Sequence, residues 1–148
     1  MTTFSTTKKT TRIPETYHDI LLSRPTGHLA TIRPDGQLSV NPVAVMWDGA
    51  LVRVSTLKSR QKYRNLSNDP RVAISIPHRD NPQHYVEIRG TAELTDDADR
   101  SFVNSLARAY MGVDEYPFDR PGDERVVITI HPGHVSGLPP AAALPNRP

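Results

Sequence analysis

The segment from Tyr85 to Leu94 alternates between apolar and polar residues, and this pattern constrains the fold more than any other feature of the chain. A period of two residues is that of a β-strand with one face in the core and the other in solvent. The predicted inner face consists of Val86, Ile88, Gly90, Ala92 and Leu94. A strand of this length needs partners, so we expect a predominantly β fold.

Turn signals divide the rest of the chain into short strands. Pro34-Asp35-Gly36 and Asp48-Gly49 are sequences that tight turns favour. We predict strands at 28–32, 38–46, 51–55, 71–76, 85–94 and 125–131. Helices are predicted at 15–23, at 60–68 with Ser59 as N-cap, and from Asp96 or Asp97 to about Tyr110. Hairpin-linked strands in this order are typical of a six-stranded antiparallel barrel, here with added helices in an α+β fold.

The length of 148 residues fits one domain, which we place at 13–137. Residues 1–12 are predicted to be a flexible polar arm, and 138–148 a Pro- and Ala-rich tail. The apolar content of 36% predicts a modest core that a partner subunit completes, so we expect an obligate dimer.

Composition also excludes several function classes. The chain has no cysteine, which excludes disulfides, thiolate metal sites and thiol catalysis. A formal net charge of +2 does not favour nucleic-acid binding, which usually needs a basic stripe. No signal peptide and no membrane span of roughly 20 apolar residues is visible, so a cytoplasmic location is expected.

Basic and hydroxyl side chains cluster where the third predicted strand meets the helix at 60–68. They are Arg53, Ser55, Thr56, Lys58, Ser59, Arg60, Lys62 and Arg64. The N-terminus of a helix binds anions through free backbone N–H groups and the helix dipole, and arginine can bind a phosphate in bidentate fashion. Alternating basic residues also occur on solvated helix faces, so the spacing alone leaves both interpretations open.

The run VSTLKSRQKYRNLSNDPRVA at 54–73 resembles the flavin-phosphate segment of the pyridoxamine-phosphate-oxidase-like superfamily. LATIRPDG at 29–36 and VEIRGTA at 86–92 resemble the same superfamily in the same order, so the resemblance spans about residues 18–137. Within it, the chain is most similar to the actinobacterial branch that uses the deazaflavin coenzyme F420, flavin/deazaflavin oxidoreductase B. The ending HVSGLP at 134–139 is also similar to that branch.

The resemblance implies a homodimer of split β-barrels with the cofactor in a groove at the subunit interface. By position, the phosphate would be held by Ser55, Thr56, Arg60, Gln61 and Lys62. The ring system would lie on Asn41, Pro42 and Val43. Tyr85 would approach the ring from the other side or from the other subunit. No catalytic residue is identified, and no metal is expected.

The chain departs from true pyridoxamine-phosphate oxidases on its second strand. Their Arg-x-Val-Leu-Leu-Lys is replaced by NPVAVM at 41–46, and their Trp- and Arg-containing ending by GLPP at 137–140. Without these basic groups a second phosphate would be poorly held. We therefore expect an F420-dependent oxidoreductase that transfers a hydride from the reduced deazaflavin to an electron-poor small-molecule acceptor. An FMN-dependent enzyme and a non-catalytic F420- or flavin-binding protein remain alternatives.

Other polar residues receive weaker assignments. His78, His84, His131 and His134 lack metal-binding spacing and are interpreted as surface histidines in loops. The acidic oligoglutamate tail of F420 could meet Lys8, Lys9, Arg12 or Lys58. The acidic loop at 111–124 could edge the substrate groove and is assigned no role.

Overall fold

The computed structural model describes residues 11–141. One antiparallel sheet contains seven strands: β1 (Thr26–Ile32), β2 (Leu38–Ala44), β3 (Met46–Trp47), β4 (Val52–Leu57), β5 (Arg71–His78), β6 (Asn81–Asp96) and β7 (Arg125–Leu138). Its strand order is β2-β1-β5-β6-β7-β4-β3, and the sheet curls into a half-barrel. A 3-10 turn at Glu15–Tyr17 precedes α1 (His18–Leu22), while α2 (Gln61–Asn68) links β4 to β5 and α3 (Ser101–Met111) links β6 to β7.

The alternating segment forms the middle of β6, in the centre of the sheet between β5 and β7. Val86 and Ile88 are fully buried, as the pattern predicts. Gly90 lies at a bulge in the antiparallel pairing of β6 with β7. A Cβ at this position would lie 2.0 Å from the carbonyl oxygen of His131. The close approach of the two strands therefore requires glycine at this position.

The prediction of six strands is wrong, because the segment at 38–46 divides into β2 and β3 at Val45. The Val45 N–H donates to Tyr110 Oη at 3.0 Å. The same hydroxyl lies 2.6 Å from the Val45 carbonyl oxygen and 2.8 Å from that of Pro25. Since both backbone groups of Val45 face a side chain of α3, neither continues the strand ladder.

The N-terminal helix packs its apolar face onto the sheet. Tyr17, Ile20 and Leu21 are buried, as predicted, and belong to one cluster with Leu29 and Ile74. Burial of each such side chain contributes about 1.5–3 kcal/mol.

Two helix starts differ from the predictions. The N-cap of α2 is Arg60 rather than Ser59, and its side chain makes no capping hydrogen bond. At α3, which starts at Ser101, the Asp97 carboxylate accepts hydrogen bonds from the N–H groups of Phe102 and Val103 at 3.1 and 3.0 Å. Asp97 thus satisfies the start of α3 from outside the helix.

Both ends of the described chain contact or extend the sheet. β7 continues to Leu138, the first residue of the predicted tail. Thr11, near the end of the predicted arm, donates from its N–H to the Pro132 carbonyl at 3.2 Å and from its hydroxyl to Gly133 at 3.1 Å. The rest of the arm and tail, residues 1–10 and 142–148, lies outside the described residues. Within 11–141, every helix is too short or too polar to span a bilayer.

Candidate functional site

A cavity of about 310 Å³ opens where β2, β4, α2 and α3 meet. β4 supplies Ser55 and Thr56 because its hydrogen bonds to β7 continue to Leu57, two residues past the predicted strand end. The predicted site residues that line the cavity are Pro42, Val43, Ser55, Thr56, Arg60 and Lys62. The folded chain therefore brings the basic segment and the second strand to one place.

The other three predicted site residues do not line this cavity. Asn41 precedes Pro42 on β2, and its Oδ1 is buried without a hydrogen-bond partner among the described residues. The Gln61 side chain donates to Asn65 and accepts from Arg64, both at 2.7 Å. Tyr85 pairs with Leu138, the last residue of β7, whereas the cavity lies at the first residue, Arg125. Contact of Tyr85 with a ring from another subunit stays a prediction.

Two successive residues of the cavity lining, Ser55 and Thr56, carry hydroxyls. Thr56 is 3% exposed, and its Oγ1 has no partner within residues 11–141. A buried hydroxyl without a partner costs about 1–3 kcal/mol. Ser55 Oγ accepts a hydrogen bond from Arg125 Nη1 at 3.3 Å. Since a guanidinium only donates, the Ser55 proton is left for another acceptor.

The cations of the cavity lack acidic partners on the α2 side. Within the described part of the chain, neither Arg60 nor Lys62 forms an ion pair with a carboxylate. Burial lowers the pKa of Lys62, and the nearby positive charges of Arg60 and Arg125 lower it further. An anion in the cavity would relieve this repulsion and accept from both hydroxyls.

Sequence reasoning missed the third cation, Arg125. Its side chain is 10% exposed, and Asp119 accepts from Nε and Nη2 at 2.8 and 2.6 Å. Arg100 also bonds to Asp119. The guanidinium carbon lies 4.6 Å from the centroid of the Tyr116 ring, which lines the cavity. The segment between α3 and β7, which received no role from sequence, therefore forms a wall of the site.

Other residues of the cavity lining are apolar. α3 contributes Val103, Leu106 and Ala107, and β2 contributes Val43. Tyr110 also lines the cavity, and burial raises the pKa of its hydroxyl. The site thus suits an amphipathic ligand that carries an anionic group and an apolar body.

The structure does not bring together the basic residues that were predicted to bind the acidic tail of F420. Lys58 Nζ lies 3.1 Å from Asp96 and 3.3 Å from Glu124, and these hydrogen bonds raise its pKa. Arg12 lines a separate cavity beside Trp47. Lys8 and Lys9 lie outside the described residues.

The interpretation of the four histidines as loop residues is wrong, because His78 ends β5, His84 lies on β6, and His131 and His134 lie on β7. The interpretation as surface residues is also wrong for His84. It is 1% exposed on β6, with Nε2 2.9 Å from Asp19 Oδ1 and Nδ1 2.8 Å from the Leu138 carbonyl oxygen. His84 continues the alternation of Val86 and Ile88, which was the signal for its burial. Among residues 11–141, no three His, Asp or Glu side chains converge as metal ligands would.

Comparison with known proteins identifies the relatives of this fold. Residues 13–138 match the family of pyridoxamine 5'-phosphate oxidase. A solved F420 reductase is 38% identical, with 84% of this chain and 98% of that chain covered at a TM-score of 0.73. Conserved hypothetical protein Rv2991 from Mycobacterium tuberculosis is 24% identical over 92% of this chain and 91% of its own, with a TM-score of 0.67.

A pyridoxamine 5'-phosphate oxidase-related, FMN-binding protein from Nostoc punctiforme PCC 73102 is 16% identical over 81% of this chain and 78% of its own, with a TM-score of 0.56. At this identity, and at that of Rv2991, the likeness concerns the fold alone. The family match, in contrast, extends from the approach to α1 to the end of β7. The chain therefore belongs to the pyridoxamine 5'-phosphate oxidase family.

Proposed function

We propose that the chain is an oxidoreductase that binds coenzyme F420 in this cavity and reduces an electron-poor small-molecule acceptor. The observation that carries the proposal is that three residues line one cavity: Thr56, Arg60 and Lys62. The Thr56 hydroxyl has no hydrogen-bond partner, and neither cation has a carboxylate partner, among the described residues. The 38% identity to an F420 reductase favours this cofactor over FMN.

The cavity's donors fit a phosphate group. The buried Thr56 hydroxyl gains the acceptor it lacks, and Ser55 donates beside it. Lys62 supplies a half-buried charge and Arg60 an exposed charge at the cavity wall. Charge-assisted hydrogen bonds of this kind contribute about 1.5–3 kcal/mol each, so the four side chains suffice for firm anchoring.

When bound and reduced, the deazaflavin supplies a hydride, and the protein supplies position and exclusion of water. Pro42 and Val43 on β2 would support the ring, and Val103 and Leu106 of α3 would shield it from water, since all four residues line the cavity. Tyr110 is not available as a proton donor, because its hydroxyl already accepts from Val45 N–H and donates to a backbone carbonyl. Solvent is therefore the proton source in this proposal.

We also propose that the protein acts as a homodimer. β2 is an edge strand, and its outward side chains Leu38 and Val40 are 79% and 67% exposed. Exposed apolar side chains in a row on an unpaired edge are typical of a surface that another subunit covers. Sedimentation of the full chain should give twice the 16.5 kDa mass, and a monomer at micromolar concentration contradicts the dimer.

Titration of the purified protein with F420 and with FMN, followed by fluorescence, tests the cofactor assignment. We expect tighter binding of F420; tighter binding of FMN overturns it. Reduced F420 is then mixed with quinones, enones and other electron-poor acceptors, and oxidation is followed by absorbance. Tight binding without oxidation by any acceptor would favour a non-catalytic F420-binding protein instead.

A further inference from the structure

We propose that Arg125 is a positioning residue of the phosphate site, which acts by turning the Ser55 hydroxyl proton toward the phosphate. The proposal rests on the proposed function, because it assigns a task within the same cavity. It concerns the group of Arg100, Asp119 and Arg125, called here the arginine clamp.

The geometry of Arg125 leaves one edge of its guanidinium for the site. Nε and Nη2 donate to the two oxygens of Asp119, at 2.8 and 2.6 Å. Nη1 donates to Ser55 Oγ at 3.3 Å. Two parallel bonds to one carboxylate fix the plane of a guanidinium, so the direction of Nη1 is fixed as well.

The bond from Arg125 determines what Ser55 can do. A serine hydroxyl rotates freely and both donates and accepts. With Nη1 as its donor, Ser55 Oγ fills an acceptor position and its own O–H turns away from the arginine. Ser55 is therefore held as a donor, and Thr56, the next residue of β4, lines the same cavity.

Arg125 contributes orientation more than charge. The Asp119 side chain is 7% exposed, and hydrogen bonds from Arg125, followed by Arg100, lower its pKa. The carboxylate therefore stays ionised and offsets one of the two positive charges. Arg60 and Lys62 have no such counter-ion within residues 11–141, and attraction of the anion falls to them.

The clamp also holds the loop that closes the site. Arg100 donates to the Tyr116 carbonyl at 3.3 Å, and Asn104 Oδ1 accepts from the Tyr116 N–H at 2.9 Å. A purely structural clamp would therefore position the Tyr116 ring and affect any ligand of the cavity. A positioning role through Ser55 affects only ligands that carry a phosphate, and this difference is measurable.

The experiment compares F420 with its phosphate-free deazaflavin core, and FMN with riboflavin, by fluorescence titration. Variants of the full chain are Arg125→Lys, Ser55→Ala and the double variant. Lysine keeps the charge but cannot bind Asp119 and Ser55 in the same fixed plane. Arg71→Lys is the matched control, since Arg71 also pairs with an aspartate, Asp69, but on the surface.

We expect each single variant to weaken F420 binding about tenfold, the loss of one charge-assisted hydrogen bond. The double variant should bind no more weakly than either single variant, and the phosphate-free ligands should bind all variants within about twofold of the parent. Arg71→Lys should bind F420 like the parent. If Arg125→Lys does not fold, Asp119→Asn retains Arg125 and adds net positive charge near the site. Weaker F420 binding in this variant supports the positioning role, whereas tighter binding contradicts it.

Three results overturn the proposal: unchanged F420 binding in the Arg125 and Asp119 variants, equal weakening of the phosphate-free ligands, or additive losses in the double variant. Each of these results counts against the positioning role only if the parent protein itself binds F420. A parent that binds neither F420 nor FMN overturns the proposed function itself, and the positioning role with it. The two failures are therefore distinguishable.

Discussion

Two buried polar groups at opposite ends of β7 differ in whether their hydrogen bonds are complete. His84, beside Leu138 at the end of β7, has a partner for each ring nitrogen. Thr56, paired with Val126 near its start, has none for its hydroxyl among the described residues. A satisfied buried group stabilises the fold, whereas an unsatisfied one costs stability. In the proposed function, a bound phosphate offsets that cost for Thr56.

The comparison predicts that His84 matters for stability and not for binding. His84→Ala removes the contacts to Asp19 and Leu138 and leaves a cavity, so we expect the free energy of unfolding to fall by about 2–4 kcal/mol. Urea denaturation measures this loss. His131→Ala is the control, since its pair with Glu93 is exposed and its loss should cost less than about 1 kcal/mol. A tenfold weaker F420 affinity of folded His84→Ala would contradict the prediction that His84 affects stability only.

Lys62 should show the reverse pattern. Lys62→Ala removes a half-buried cation without a carboxylate partner among residues 11–141, so F420 affinity should fall about 10- to 100-fold. The thermal midpoint of the ligand-free protein should stay the same or rise, because repulsion with Arg60 and Arg125 is relieved. Lys58→Ala, whose amine is already paired with Asp96 and Glu124, should leave the affinity within about twofold. Equal losses in both variants would contradict the phosphate assignment.

Thr56→Val sharpens the comparison, because its two effects have opposite signs. Removal of the unpartnered hydroxyl should raise the free energy of unfolding of the ligand-free protein by about 1 kcal/mol and weaken F420 binding about three- to tenfold. Thr31→Val is the matched control, since Thr31 is equally buried but its Oγ1 accepts from Asn65 Nδ2 at 3.0 Å. Thr31→Val should lower stability by about 1 kcal/mol and leave F420 binding unchanged. Destabilisation by Thr56→Val would show that its hydroxyl is already satisfied.

The smallest expected effect is a pH dependence of binding. Because the pKa of Lys62 is lowered from 10.5, its charge is lost at a lower pH than that of an ordinary lysine. Only the charged form attracts the phosphate, so F420 affinity should fall as the pH rises through the lowered pKa of Lys62. Fluorescence titrations across this range measure it. Lys62→Arg, which stays charged, should flatten the profile, and an unchanged profile in this variant would exclude Lys62 as its source.

The alternating segment shows how much of the fold a local sequence pattern can predict. The period of two residues correctly placed Val86 and Ile88 in the core of β6. The same period, continued upstream, reaches His84, one residue before the predicted start of the strand at Tyr85. Turn residues near a hairpin are compatible with strand ends on either side, so a local pattern leaves such boundaries uncertain by a few residues.

By itself, the sequence determined the mainly β character, the inward face of the central strand and the basic segment that enters the cavity, because each depends on residues close together in the chain. Tertiary structure decided the break at Val45, since Tyr110 of α3 binds its backbone. It also decided that Arg125 reaches Ser55, because β7 pairs with β4. These contacts join residues 65 and 70 positions apart, and only the closed sheet brings them within hydrogen-bond distance.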